Sequence, residues 1–305
     1  MATPGTLPRV SYSVKGSHRQ FTVPSCSLAA QDLRRLYNLL KKRADEASSR
    51  EVKNVTIQPG QTAQQLAQLK EWVASQLDLV VTVVGSRGDW VAASGDQVLS
   101  DETVPDTVAR IVYDSAHQFR NQFKREPDIG FVVVIDFSRT HILDLSNLAL
   151  SPDPNESSVR VSGVDDTWVK AVCEDLRAFF DERHKLRGWL HHRLSYDLLL
   201  WLLGIPTSFS VVYRIDRWLN LSVRLPNSLA SPLYVLLFVF ALLIFRIIFN
   251  YAKWVFPKVE GPGRKTLPRF HKAVLTLIGG SLLSLLVQST IRLLGVSLFG
   301  NTITK

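Results

Sequence analysis

The stretch LASPLYVLLFVFALLIFRIIF, residues Leu229–Phe249, decides the architecture of the C-terminal third of this chain. Arg246 is its one charged residue and lies close to one end, where an arginine side chain can extend toward lipid headgroups. An α-helix of this length spans roughly 30 Å, which is the thickness of the hydrocarbon core of a bilayer. The sequence therefore predicts a transmembrane helix here.

Two further apolar stretches flank this segment. Ala273–Ile291 is long enough to cross a bilayer. Leu198–Tyr213 is shorter and is interrupted by Gly204 and Pro206, and a proline removes a backbone N–H and kinks a helix. A two-span arrangement, with this shorter stretch re-entrant or interfacial, is the alternative. We expect an all-α transmembrane region over residues 194–305, with spans at about 196–213, 229–249 and 273–294.

The net charge of +9 resides entirely in this apolar region. Residues 1–193 contain 24 Lys and Arg against 24 Asp and Glu, whereas residues 194–305 contain 12 against only 3. Basic residues beside membrane spans are explained by the positive-inside rule and by attraction to anionic lipid headgroups. We therefore expect the lipid bilayer as a partner and no nucleic acid, for which a basic soluble domain is typical.

Six basic residues in the short loop between the second and third predicted spans set the orientation. The positive-inside rule places a short basic loop in the cytoplasm. Residues 1–16 lack the apolar core of a signal peptide, so the preceding domain is also expected in the cytoplasm. Three spans then put the C-terminus outside, and a bacterial inner membrane fits this arrangement most simply. The six residues are Lys253, Lys258, Arg264, Lys265, Arg269 and Lys272.

The third predicted span carries a polar face. Its polar and small residues recur at every fourth position, which places them along one side of a helix. Such a face either packs against another helix, as in a homo-oligomer, or lines water in an oligomeric pore. Both interpretations predict that the face avoids lipid. The residues are Thr276, Gly280, Ser284, Gln288 and Arg292.

Residues 1–193 predict an α+β domain with a mostly antiparallel sheet, because strand-like and helix-like stretches alternate with several hairpin signals. Gly130–Phe137 is a nearly continuous apolar run, which is typical of a central strand. Asp165 and its neighbours are good N-caps for a helix over residues 166–192. That helix runs toward the first span and is expected to act as a rigid lever.

The remaining predicted elements follow local signals. Ser27 is a plausible N-cap for a helix whose last turn holds Lys41, Lys42 and Arg43. Ala109–Phe123 is compatible with a strand or a helix. Other predicted elements include a strand at Glu51–Gln58, a helix from Thr62 through Gln76, and a hairpin of Leu79–Val84 with Asp89–Ala93.

Four residues are candidates for ligand or metal binding. Asp136 ends the apolar strand, as phosphate- and metal-binding aspartates often do, and Asp144 follows across a proposed turn. His184 and His191 are seven residues apart and would share one helix face. The alternatives are a solvated strand end and a wet interfacial helix face. Phosphate-loop and nucleophile-elbow motifs are absent from the sequence, so we expect no cofactor and no catalytic residue.

Three functions are compatible with these features. The first is a non-enzymatic membrane protein whose cytosolic α+β domain senses or binds a ligand or a protein partner and is coupled by a long helix to the transmembrane bundle. The second is a self-assembling effector that forms a pore or disrupts the bilayer through the polar face of the last helix. The third is a membrane-bound enzyme, which the missing motifs disfavour.

Overall fold

The computed structural model describes residues 16–55, 62–99, 108–143, 154–220, 226–261, 270–271, 273–281 and 284. They form two compact units. The first, here the α+β unit, contains Leu28–Asp136, Glu156–Arg183 and the described residues before Pro24. The second, here the helical unit, contains Pro24–Ser27, the described parts of Phe137–Asn155 and the described residues from His184 onward. The chain therefore enters the helical unit twice, at Pro24 and at Phe137, before it enters for the last time at His184.

The α+β unit is built on a six-stranded antiparallel sheet with the order β1-β7-β6-β5-β3-β4. This sheet and its packed helices agree with the predicted α+β class. The strands of the protein are β1 (Ser17–Thr22), β2 (Cys26–Ser27), β3 (Val80–Gly85), β4 (Trp90–Ser94), β5 (Val108–Asp114), β6 (Gly130–Asp136), β7 (Ser158–Gly163) and β8 (Val259–Glu260). β2 and β8 form a separate pair in the helical unit.

The helices divide between the two units. The α+β unit has α1 (Ala30–Lys53), α2 (Ala63–Gln76), α3 (His117–Phe123) and α4 (Asp166–Asp181), and the helical unit has α5 (Arg193–Leu199), α6 (Ile205–Leu219) and α7 (Asn227–Val255). The apolar face of α4, which includes Trp168, Leu176 and Phe180, is buried. Asp165 caps this helix by accepting a hydrogen bond from the Thr167 N–H at 2.9 Å, as predicted.

Several predicted elements are confirmed. β6 is an interior strand, as its apolar run predicts, and β3 pairs with β4 as the expected hairpin. Thr62 caps α2, which runs through Gln76. The ambiguous stretch Ala109–Phe123 is both strand and helix, since β5 ends at Asp114 and α3 begins at His117. The Asp114 carboxylate accepts the Ala116 N–H at 2.9 Å, which stabilises the turn between them.

The prediction for α1 is wrong at both ends. Its N-cap is Ala29 rather than Ser27, and the Ala29 N–H bonds the Asp32 carboxylate at 2.9 Å. The helix does not end near Arg43, because Ala44, Ala47 and Glu51 continue its buried face through to Lys53. The described residues of the predicted strand Glu51–Gln58 therefore complete α1 instead, and residues 56–58 lie outside the described part of the chain.

The predicted lever helix over residues 166–192 is also wrong, because α4 ends at Asp181. The Arg183 guanidinium turns back to donate to the Phe179 carbonyl at 2.7 Å and binds Asp32 at 2.8 Å. Residues 186–191 form a 3₁₀ turn, and the next helix begins at Arg193. A rigid helix therefore does not connect α4 to the apolar region.

The helical unit contains two helices that are long and apolar enough to cross a membrane, Leu194–Leu219 and Ser228–Val255. In each, only 17% of the most apolar window is buried, whereas the core helix of a soluble protein is mostly buried. The two helices pack antiparallel. The Phe209 and Phe238 rings contact each other at a tilt, with centroids 4.7 Å apart, and the Tyr234 hydroxyl donates to Asp216 at 2.6 Å.

Pro206 does not end the first of these helices. A π-helical turn at Leu200–Gly204 joins α5 to α6 and widens the backbone immediately before the proline. The Thr207 hydroxyl donates to the Leu203 carbonyl at 2.5 Å, and the Ser208 hydroxyl donates to the Gly204 carbonyl at 2.7 Å. These hydroxyls donate to backbone carbonyls close to Pro206. Apolar helices tolerate a proline in this way, because side chains satisfy backbone groups that the proline leaves without a partner.

Gly204 sets how closely the two long helices approach. A Cβ atom at this position would lie 2.9 Å from Leu200 Cδ1 and 3.0 Å from Phe245 Cδ1. We expect Gly204→Leu to weaken the packing of the helix pair by about 1–3 kcal/mol, the usual cost of overpacking. Thermal unfolding of the full chain in detergent measures the loss. Gly279→Leu is the control, because a Cβ at Gly279 meets no atom within 4 Å. Equal losses in both variants would contradict the packing role of Gly204.

Only part of the third predicted span is described. Residues 273–281 and Ser284 are helical, which agrees with the prediction for that part. The rest of the span lies outside the described residues. The structure thus supports two long apolar helices and the beginning of a third helical segment.

Candidate functional site

Three distant chain segments meet at the end of α7. β2 pairs in parallel with β8, with Cys26 opposite Val259 and Ser27 opposite Glu260. Cys26 also forms an antiparallel bridge with His184, so that β2 lies between the other two segments. The Cys26 N–H donates to the Lys258 carbonyl at 3.0 Å, and the Lys185 N–H donates to the Ser25 carbonyl at 2.9 Å. We call residues 25–27, 184–185 and 258–260 the clasp.

Side chains reinforce the clasp. Cys26 and Val259 are fully buried, and the Glu260 carboxylate accepts a hydrogen bond from the Ser27 hydroxyl at 3.3 Å. Lys185 forms an ion pair with the same carboxylate oxygen. Because both charged side chains are about one-third exposed, the ion pair contributes little by itself. The backbone pairing and the two buried side chains therefore supply most of the stability of the clasp.

The clasp lies where the chain passes between the two units. Val23 and Leu28, on either side of its first segment, belong to the α+β unit, and His184 directly follows the last residue of that unit. Val259 follows the end of α7 by only four residues. The clasp therefore joins the segment after α7 to two segments of the helical unit that directly adjoin the chain of the α+β unit in sequence.

The last turns of α7 carry a buried polar face. Arg246, Asn250 and Lys253 are spaced by four and three residues, so they lie on one side of the helix, and each is at most 3% exposed. The Asn250 amide donates to the Ile142 carbonyl at 3.5 Å, and Lys253 Nζ lies 5.2 Å from the centroid of the Phe249 ring. The prediction that Lys253 belongs to the loop between two spans is wrong, because its apolar neighbours extend the helix to Val255.

Aromatic rings surround the same end of α7. The Arg139 guanidinium lies 5.0 Å from the centroid of the Trp254 ring, and the Tyr251 hydroxyl lies 2.6 Å from His271 Nδ1. Rings with one polar tip are typical of the border between lipid and water. This end of α7 therefore combines buried cations with aromatic side chains.

His184 and His191 are not brought together as a metal site. The chain between them is not a continuous helix, so the expected shared helix face does not exist. His184 belongs to the clasp, whereas His191 Nε2 lies 2.7 Å from the Phe256 carbonyl. In the described part of the chain, no group of three or more His, Cys, Asp or Glu side chains is placed to hold a metal ion.

Asp136 makes buried contacts within the α+β unit. It is buried rather than solvated, and its carboxylate accepts the Glu156 N–H at 3.0 Å and lies 3.5 Å from the Arg110 guanidinium. These contacts hold the end of β6 against Glu156, which lies just before β7. Asp144, its proposed companion, lies outside the described residues, so their predicted proximity stays a prediction.

The polar face of the third span is partly described. Thr276, Gly280 and Ser284 are exposed, and a Cβ atom at Gly280 would meet no atom within 4 Å. Gln288 and Arg292 lie outside the described part of the chain, as do four residues of the basic loop: Arg264, Lys265, Arg269 and Lys272. The exposed small residues leave room for another helix against this face.

No known protein-family model matches the sequence, and no curated protein or solved structure matches it significantly.

The clasp was missed from the sequence because its strands are two residues long and far apart in the chain. One signal was available. Glu260 is one of only three acids after residue 193, and it closely follows the apolar helix. An isolated acid at that place suggests a basic partner, which the structure supplies as Lys185.

Proposed function

We propose that this chain is a non-enzymatic membrane protein whose α+β unit binds a ligand or protein partner and whose long apolar helices cross a bilayer. The clasp couples the two units, in place of the lever helix expected from the sequence. The observation that carries the proposal is the pairing of β8, just after α7, with β2, which is inserted into the chain of the α+β unit.

Exposed apolar side chains support membrane insertion. On the first long helix Trp201, Phe209 and Trp218 are each more than 60% exposed, and on α7 Leu236 and Phe240 are similarly exposed. A continuous apolar surface of this kind is costly in water, and it fits the acyl chains of lipid. Trp218, near one end of its helix, suits a lipid–water border.

The orientation follows from the positive charges. We propose that the clasp, Lys258 and the basic residues that follow it lie in the cytoplasm, where Lys and Arg also contact anionic headgroups. The α+β unit then lies on the same side, and three spans place the C-terminus outside a bacterial inner membrane. Reporter fusions within residues 262–264 and after Lys305 test this. A cytoplasmic reporter at the first site and an external one at the second are expected, and two cytoplasmic reporters would contradict three spans.

Coupling through the clasp is testable without knowing the ligand. Ile111 is buried in β5, and Ile111→Val is expected to destabilise the α+β unit by about 1 kcal/mol. If the two units are coupled, the same destabilisation also lowers the free energy of opening at residues 259–260. Hydrogen exchange at Val259 and Glu260, measured in the full chain in nanodiscs, should then rise by up to about fivefold.

Glu71→Gln is the control for the coupling experiment, since Glu71 is exposed on α2 and this change is expected to leave stability within about 0.5 kcal/mol. Exchange at residues 259–260 should stay at the wild-type rate in that variant. An unchanged rate in Ile111→Val, accompanied by the expected loss of stability in the α+β unit, would contradict coupling.

A pore is the second candidate function, favoured by the exposed small residues of the third helical segment. In that case several copies would place Thr276, Gly280 and Ser284 around water. Dye release from vesicles that contain the full chain tests it, by comparing the wild type with Ser284→Leu and Gln288→Leu. Release that both substitutions reduce would favour the pore, whereas release unaffected by either would exclude this face as its lining.

A further inference from the structure

Glu51 is a buried acid at the end of a helix. It lies in the last turn of α1, where backbone carbonyls give the helix end a partial negative charge that disfavours a carboxylate. Its side chain is in the interior, with the residue only 6% exposed. A carboxylate in this place bears the cost of lost hydration as well as repulsion from the helix end.

The groups around Glu51 compensate its charge only in part. Oε1 accepts the Asp128 N–H at a long 3.4 Å, and no described residue donates a hydrogen bond to Oε2. Asp128 adds a second negative charge nearby, and Arg125 adds a positive one. Residues 56–61, which follow α1 closely, contain no charged side chain in the sequence. The ionised form of Glu51 is therefore poorly stabilised, and the neutral form is favoured.

We propose that the Glu51 carboxyl is a proton-binding site that holds the end of α1 against residues 125–129 when protonated and loosens this contact when ionised. The ligand is a proton, and neither the membrane spans nor the clasp is needed for it. The site thus adds a pH response to the α+β unit, beyond the proposed anchoring and coupling.

The titration range is set by the surroundings of the carboxyl. Burial raises the pKa of Glu51 from 4.5 to about 7, the charge of Asp128 acts in the same direction, and the Asp128 and Ile129 N–H groups and Arg125 oppose them. The folded state therefore binds more protons than the unfolded state between about pH 4.5 and pH 7. Its stability falls as the pH rises through this window, and the loss is complete above it.

Hydrogen exchange of the full chain in nanodiscs tests the proposal at residues 48–55 and 124–131. After correction for intrinsic exchange, wild-type protection is expected to fall by up to about two orders of magnitude between pH 5 and pH 8. Glu51→Gln should keep nearly constant protection, because its amide stays neutral. Glu71→Gln, at an exposed position of α2, should retain the wild-type pH dependence.

Two results would overturn the proposal. One is a Glu51→Gln variant that loses protection with pH as the wild type does. The other comes from Asp128→Asn, which remains informative if Glu51→Gln fails to fold. Removing the Asp128 charge should move the midpoint of the transition to lower pH, and an unmoved midpoint would show that Glu51 is not the titrating group.

Discussion

Phe240→Arg is expected to block stable membrane insertion of α7. Phe240 lies near the middle of this helix and is 59% exposed. If α7 spans a bilayer, the Phe240 side chain therefore contacts acyl chains. An arginine at the centre of a membrane helix costs about 2.5–3.5 kcal/mol of insertion free energy, which corresponds to roughly a hundredfold. On the surface of a soluble protein, the same substitution would change the free energy of unfolding by no more than about 0.5 kcal/mol. The membrane fraction that resists alkaline extraction measures the difference.

The control for this prediction is Trp90→Arg. Trp90 is 67% exposed on β4 of the α+β unit, so it has similar exposure but no expected contact with lipid. Its membrane fraction should equal that of the wild type. If Phe240→Arg also stays in the membrane fraction at the wild-type level, α7 does not face lipid at this position.

Phe180→Ala is expected to lower the free energy of unfolding of the α+β unit by about 3–5 kcal/mol. Phe180 is fully buried on the inner face of α4, and its ring packs edge-on against Phe179 with centroids 5.4 Å apart. Truncation removes buried apolar area and leaves a cavity. A loss of this size is a large part of the stability of an ordinary domain. Urea unfolding, followed by hydrogen exchange in the β6 peptide, measures it.

Glu174→Ala is the matched control on the same helix, because Glu174 is exposed and this change should alter stability by no more than about 0.5 kcal/mol. A loss below about 1 kcal/mol in Phe180→Ala would mean that α4 does not pack on the sheet as described.

Local patterns predicted the elements whose determinants lie close together in the sequence. The run at Gly130–Phe137 predicts an interior strand, and Asp165 and Thr62 predict helix starts, because each signal acts within a few residues. The long apolar runs likewise predict helices. In all of these cases the local preference and the tertiary environment favour the same structure.

Predictions failed where contacts between distant residues decide the structure. The basic residues Lys41–Arg43 resemble a helix end. However, the Arg43 guanidinium donates to Asp175 at 2.9 Å, and α1 continues to Lys53 with Ala47 on its buried face. The lever helix ends where Arg183 binds Asp32 and the nearby residue Lys185 pairs with Ser25. Such partners, more than a hundred residues apart, leave no periodic signal in one sequence. The burial of Glu51 is hidden for the same reason.

A disulfide test addresses the clasp most directly. Cys26 and Val259 are opposite each other in the parallel pairing, so Val259→Cys in a Cys173→Ala background brings two thiols together. Leu229→Cys, at the other end of α7, is the control. In the full chain in membranes, mild oxidation should link residues 26 and 259 rapidly, as seen by mass spectrometry of the joined peptides. Linkage no faster than that between residues 26 and 229 would contradict the clasp and the coupling built on it.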